Sequence, residues 1–175
     1  YQIISSWKIE SKRLKKKGYF ILYPHNRIIR SIIRSSIVLG FVFYIGGNVG
    51  LFCYGFSVLW AKIILETINY VEHYGLVRVE GTPVQPHHSW NTNAFISSMI
   101  LFNLTRHSHH HEKASTEFWE LKSHPDAPEM PYGYLTMAYL TLLFPWLFKK
   151  IMKSKLNHWD KHFASDGEKK IIMGM

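Results

Sequence analysis

Four of the chain's 11 histidines lie within Arg106–Glu112. In Arg106-His107-Ser108-His109-His110-His111, residues 107, 110 and 111 have the spacing i, i+3, i+4. On a helix that spacing projects three imidazoles from one face within a single turn. A metal centre needs several neutral imidazoles converging on a small volume, and this pattern delivers them. His109 leaves the helix roughly a hundred degrees from His110, so it is not expected to share the target. The rival reading is an incidental histidine tract. The tract is internal and interrupted, unlike an expression tag.

A second motif is Asn69-Tyr70-Val71-Glu72-His73-Tyr74-Gly75. It follows a long apolar run, where Glu72 and His73 are costly without a partner. A metal at His73, with Glu72 as an outer carboxylate and Asn69 nearby, would supply one. Simple interfacial anchoring by Tyr70 and Tyr74 is the alternative. In His87-His88-Ser89-Trp90 the adjacent histidines diverge on a helix, so joint ligation needs a loop; hydrogen bonding around the centre, or plain interfacial polarity, are the other readings. His25, His124, His158 and His162 read as isolated surface residues. Cys53 is the sole cysteine, which excludes a disulfide within the chain and a thiolate cluster. Nitrogen and carboxylate ligands remain. Ser108 has no elbow-like glycine pattern around it.

The elements that must position these residues are helical, and the expected fold is an all-α transmembrane bundle. No charge occurs from Ser35 to Ala61, longer than the roughly 20 apolar residues a spanning helix needs. The pattern predicts two helices, Ile28–Ile45 and Val49–Ile68, joined at Gly46-Gly47-Asn48. The charges flanking the run, with Arg27, Arg30 and Arg34 before it and Arg78 after it, favour a hairpin over one span. Trp7–Lys17 reads as a basic helix ended by Gly18, and Tyr23-Pro24-His25-Asn26 as a turn. Arg78–Pro86 reads as a loop, Asn93–His111 as one helix, and Tyr132–Lys150 as an apolar interfacial helix interrupted by Pro145. Lys62 and Glu66 are spaced to pair.

The formal net charge is +9, concentrated in Lys8–Lys17 and Lys149–Lys155. These clusters adjoin apolar segments, which favours anionic lipid or an acidic partner; no nucleic-acid recognition motif accompanies them. The chain opens at Tyr1 with no visible signal peptide and reads as part of a longer protein.

With these residues in view, the chain resembles the alkane 1-monooxygenase family of integral-membrane, histidine-box di-iron enzymes. The likeness runs over nearly the whole chain. Asn69–Gly75 is similar to N-Y-x-E-H-Y-G, Pro86–Asn91 to P-H-H-S-W-N, and Pro131–Tyr134 to a later P-x-G-Y stretch. Leu104–His111 is similar to L-x-R-H-S-x-H-H, with Thr105 where glutamine is usual. Ser6–Lys15 looks like the segment after the family's second histidine box. The resemblance implies two iron ions held by nine histidines, with His73, His107, His110 and His111 as four of them. It places Glu72, His87, His88 and Asn69 around these. The other five ligands belong to H-E-x-x-H and E-H-x-x-G-H-H boxes, which this sequence does not contain, so this piece alone is not expected to turn over.

The implied reaction is terminal hydroxylation of a medium- or long-chain alkane to a primary alcohol. Dioxygen supplies one atom to the substrate and one to water. Rubredoxin, itself reduced by rubredoxin reductase, brings the electrons. The implied location is a bacterial inner membrane with the site on the cytoplasmic side. Phe41, Phe43, Leu51, Phe52 and Phe56 are candidates for a substrate-channel wall, against the more usual reading as lipid-facing or packing residues. The chain is then the C-terminal part of one hydroxylase domain. Its parts are a basic segment (1–27), a transmembrane hairpin (28–68), a metal-site region (69–131), an interfacial helix (132–150) and a basic tail (151–175). Alternatives are a xylene-type methyl hydroxylase, a fatty-acyl desaturase, or a non-enzymatic membrane metal-binding module.

Overall fold

The structure, a computed structural model, describes residues 2–22, 24–113 and 115–174. Tyr23, the first residue of the expected turn, lies outside them. The described residues form helices and loops with one isolated bridge, Asn91 to Glu129, and no strand. Two compact units are present, one up to Trp60 and one from Ala61 onwards.

In the first unit, helix α1 (Gln2–Lys16) carries Glu10, whose carboxylate receives two hydrogen bonds from Arg13 at 2.7 and 2.6 Å and one from the Arg27 backbone N–H at 2.7 Å. Three donors hold the Glu10 carboxyl at about 2, the Arg13 guanidinium contributing most. Gly18, at φ 73°, ends α1 as expected. Asn26 caps the next helix, its Oδ1 accepting from the Ile28 N–H at 2.9 Å.

Helix α2 (Arg27–His73) is broken at Gly47, where φ is 54° and ψ −146°. A Cβ on Gly50 would lie 3.0 Å from the Val42 carbonyl oxygen. Eight residues along a straight helix span about 12 Å. The chain therefore turns back at Gly47, as the hairpin reading requires, and the second arm runs on past Ile68 to His73. Phe41, Phe43, Phe52 and Phe56 are all exposed, and no residue of the helix's most apolar window is buried. An unbroken apolar surface of this length has lipid as its solvent, and the chain is a membrane protein.

The second unit is built around Trp90, which is 1% exposed. It packs with Val71, Tyr134, Met137, Phe148, Met152 and Trp159. Trp90 also caps the end of α2: its N–H donates to the Glu72 carbonyl at 2.8 Å and its indole N–H to the Tyr74 carbonyl at 2.9 Å. These are helix-terminal carbonyls that would otherwise lack partners. Tyr134 Oη donates to the Trp90 carbonyl in turn. Gly75 makes the turn possible, since its φ is 71° and a Cβ would meet Leu156 Cδ2 at 2.5 Å.

Two expectations need correction. Asn93–His111 is two short helices, α3 (Phe95–Ile100) and α4 (His107–Glu112). Phe102 and Asn103 adopt positive φ, and Asn103 N–H closes on the Ser98 carbonyl at 2.7 Å, which ends α3. The C-terminal apolar segment is also two helices, α5 (Tyr134–Leu143) and α6 (Pro145–His162), with Pro145 in the first turn of α6. α6 does not stop at Lys150. Phe148, Met152 and Trp159 continue one apolar stripe and are all buried. Residues 151–174 are thus structured, ending in α7 (Asp166–Met173) with a Ser165–Glu168 capping box.

Candidate metal centre

The last turn of α2 delivers Glu72 and His73, and α4 delivers His107, His110 and His111. One ring nitrogen from each of His73, His107 and His111 lies within 4.8 Å of the others. The ring centroids are 5.2 Å apart for His73–His107, 5.4 Å for His73–His111 and 4.3 Å for His107–His111. His110 flanks the trio, 5.8 Å from His107 and 6.2 Å from His111, and does not enter its tight set. His109 turns outward, its Nδ1 accepting from the Lys122 N–H at 3.1 Å. Asn69 is exposed on α2 and is not drawn into the group.

Protonation states follow from the bonds. His73 Nδ1 meets the His88 carbonyl at 3.0 Å. A carbonyl only accepts, so Nδ1 carries the proton and Nε2 keeps its lone pair. Burial, and then the neighbouring His111, His73 and His110, push His107 down to about 3. Partial desolvation, then His73, His110 and Arg78, lower His111 although its side chain keeps an exposed edge. Both are neutral at physiological pH, the state a metal requires. Glu72 is 2% exposed, with Oε2 3.4 Å from His107 Nε2. Its Oε1 and His107 Nδ1 are buried without hydrogen-bond partners among the described residues. Orphaned buried atoms beside three converging imidazoles are the signature expected where a bound group completes the set. The residues fit a metal.

What aims α4 is the serine inside the histidine tract. The Ser108 N–H donates to Asn91 Oδ1 at 3.0 Å and its hydroxyl to the Pro86 carbonyl at 2.5 Å. Asn91 Nδ2 donates to Ser108 Oγ at 2.6 Å, and Ser89 Oγ lies 2.9 Å away.

The second histidine group, His87, His88 and Glu168, also gathers potential ligand atoms within 4.8 Å. Its bonds are different. The Gln85 N–H donates to His88 Nδ1 at 2.9 Å, so the proton is on Nε2, which donates to Glu168 Oε1 at 2.6 Å. A protonated Nε2 cannot ligate. Glu168 Oε2 accepts from the Ser165 N–H at 2.8 Å and lies 3.3 Å from His87 Nε2. Burial alone would raise the Glu168 carboxyl, but the bonds from His88 and Ser165, and the His87 charge, hold it at about 2. This is a satisfied hydrogen-bond lock, and the loop it needs is the 3-10 turn Pro86–His88. Glu168 is not among the site residues the sequence predicts. Its one sequence signal is Ser165-x-x-Glu168, which announces a helix start and not a bond to His88.

Of the histidines expected to be isolated, His124 lies 3.6 Å from Glu112, and the tilted rings of His158 and His162 pack at 4.3 Å. His25 stacks on Tyr19 in the first unit.

The sequence matches the family model described as fatty acid desaturase over residues 3–159. It is 37% identical to alkane 1-monooxygenase 2 of Pseudomonas aeruginosa over 164 residues, covering 89% of this chain and 42% of that protein. It is 35% identical to the xylene/toluene monooxygenase hydroxylase component of Pseudomonas putida over 167 residues, covering 95% of this chain and 45% of that one. It is 31% identical to the alkane 1-monooxygenase of Ectopseudomonas oleovorans, covering 89% of this chain and 40% of that protein. The chain spans less than half the length of these relatives. With a family match over most of its length and an imidazole cluster at the foot of an apolar hairpin helix, the chain belongs to the fatty acid desaturase family and within it is similar to alkane 1-monooxygenases.

Proposed function

We propose that this chain is the C-terminal part of a membrane di-iron monooxygenase that hydroxylates the terminal carbon of alkanes. The observation that carries the proposal is the convergence of His73 from one helix with His107 and His111 from another, beside two buried polar atoms with no partner among the described residues. His73, His107, His110 and His111 serve as iron ligands. The remaining ligands come from the rest of the full-length protein, within the same domain.

Held by these histidines, iron would supply the activation of dioxygen, two electrons and two protons balancing the transfer of one oxygen atom to the substrate C–H bond and of the other to water. The chain's own residues keep His107 neutral by burial and hold His73 Nε2 free through Nδ1–H. The Trp90 core closes the end of α2 against water. Glu72, whose carboxyl is pushed up to about 8 by burial, lies beside His107, where it orients that ring or completes the iron's surroundings. Rubredoxin, regenerated by its reductase, delivers electrons to the cytoplasmic face of a bacterial inner membrane. The basic runs at Lys8–Lys17 and Lys149–Lys155 suit that acidic donor or anionic lipid. Tyr139 on α5, Phe144 between the helices and Trp146 on α6 are exposed, which supports an interfacial segment there.

A methylarene is the second substrate reading, because identity to the xylene/toluene relative is 35% over 95% of this chain, nearly equal to the alkane relatives. One experiment addresses both. Full-length protein is supplied with octane, xylene and a fatty-acyl substrate, and products are identified by mass spectrometry. Octan-1-ol as the main product supports the alkane reading, and a methylbenzyl alcohol moves the assignment to the second. His110→Ala should insert normally, lose much of its iron and give no hydroxylated product. Full iron and activity in that variant would overturn the centre.

A further inference from the structure

We propose that Glu168 is a positioning residue for the metal centre, acting through His88 on the orientation of His73. The inference rests on the His73–His107–His111 group being a metal centre, and goes beyond it to a residue outside the matched stretch 3–159. The chain of contacts is continuous. Glu168 Oε1 accepts from His88 Nε2–H at 2.6 Å. That bond and the one from Gln85 N–H fix the His88 ring, and with it the turn Pro86–His88. The His88 backbone carbonyl then receives His73 Nδ1–H at 3.0 Å. This single acceptor decides which His73 nitrogen carries the proton and which keeps its lone pair for a metal.

The turn is anchored from the C-terminal side by α6 and α7. Trp159 Nε1–H donates to the His87 carbonyl at 2.7 Å, and Ser165 N–H steadies the Glu168 carboxylate at 2.8 Å. Glu168 is 3% exposed although it sits in the first turn of a helix whose neighbouring Asp166 and Gly167 are exposed. A capping glutamate has no need of burial. One whose free oxygen must reach a buried imidazole does. Ligand-orienting partners of this kind typically change metal affinity ~10–100-fold when removed.

The test uses the full-length protein loaded with 57Fe. Glu168→Ala should weaken iron binding ~10–100-fold in a chelator competition and alter the Mössbauer signal of the iron that His73 binds. Glu168→Gln should restore most of the affinity, because its amide oxygen still accepts from His88 Nε2–H. Ser165→Ala, which loosens the start of α7 and leaves the Glu168–His88 bond, should bind iron like the wild type. The proposal is overturned if Glu168→Ala keeps wild-type affinity and spectrum. It is also overturned if Glu168→Gln is as poor as the alanine variant, or if Ser165→Ala falls equally, since Glu168 would then be only a helix cap. Should Glu168→Ala not fold, His88→Phe severs the same bond from the other side, with the same loss expected and wild-type affinity counting against it. Failure of the centre itself looks different: His107→Ala would retain its iron whatever Glu168 does.

Discussion

The two histidine groups of the second unit each gather three potential ligand atoms within 4.8 Å of one another, yet they are built for opposite ends. Around His73, His107 and His111, one ring nitrogen of each lies close to the others, and two buried polar atoms, Glu72 Oε1 and His107 Nδ1, lack partners among the described residues. Around His87, His88 and Glu168, a proton or an acceptor answers each contact. An imidazole becomes a ligand or a strut according to what its other nitrogen touches. A carbonyl at Nδ1 frees Nε2 in His73, whereas a backbone N–H at Nδ1 puts the proton on Nε2 in His88. Proximity of side chains therefore does not distinguish a metal site, and hydrogen-bond accounting does. The two groups are also joined, because the His88 carbonyl is the acceptor that frees His73.

The largest effect that could break this contrast is at His107. His107→Ala in the full-length protein should lose iron binding by more than the ~10–100-fold expected for residues that only orient ligands, as measured by metal analysis after chelator challenge. A loss no greater than that of Glu168→Ala would erase the distinction between ligand and strut.

Ser108→Ala comes next. It leaves Asn91 Nδ2 and the Pro86 carbonyl without the hydroxyl that joins them, and should cost about 1–3 kcal/mol of stability. Thermal melting in detergent should show the drop, accompanied by weaker iron binding as α4 loses its aim. A melting temperature equal to wild type would show that the network does not hold α4.

Acid titration of the metal-free protein should separate the groups. His107 sits at about 3 when folded and at 6.5 in its ordinary state. Its contribution to stability is whole above 6.5 and disappears as pH falls from 6.5 toward 3, because the unfolded chain takes up the proton first. Glu168 sits at about 2 against 4.5, so its contribution is whole above 4.5 and disappears between 4.5 and 2. Melting temperatures across pH should lose the upper slope in His107→Gln and the lower slope in Glu168→Gln. Identical profiles in both variants would contradict the assignment. The smallest effect is at His109, which faces the Lys122 N–H. His109→Gln should keep iron content and product yield, and a large loss there would redraw the trio.

Much of the fold and of the candidate site is legible in the amino-acid sequence. The i, i+3, i+4 spacing places three imidazoles on one helical face, and the charge-free stretch with Gly46-Gly47 marks a reversing apolar hairpin. Both signals are local: periodicity and backbone freedom depend on a few consecutive residues. The break between α3 and α4 is barely legible: Asn103 tolerates positive φ, but Phe102 carries no breaker signal, and packing with the Ser98–Asn103 closure puts both there. The C-terminal stretch reads as a tail because its lysines mask the Phe148–Met152–Trp159 stripe.

The sequence by itself determined which side chains could share a helix face, where lipid must be the solvent, and that nitrogen and not sulfur would meet a metal. Only the tertiary structure decided that His73 reaches His107 across more than thirty residues, that His110 stands beside the tight trio, and that Glu168 locks His88. The reason is physical: spacing along one helix sets direction within a few ångströms. A proton's place on an imidazole depends on an atom brought from a distant part of the chain.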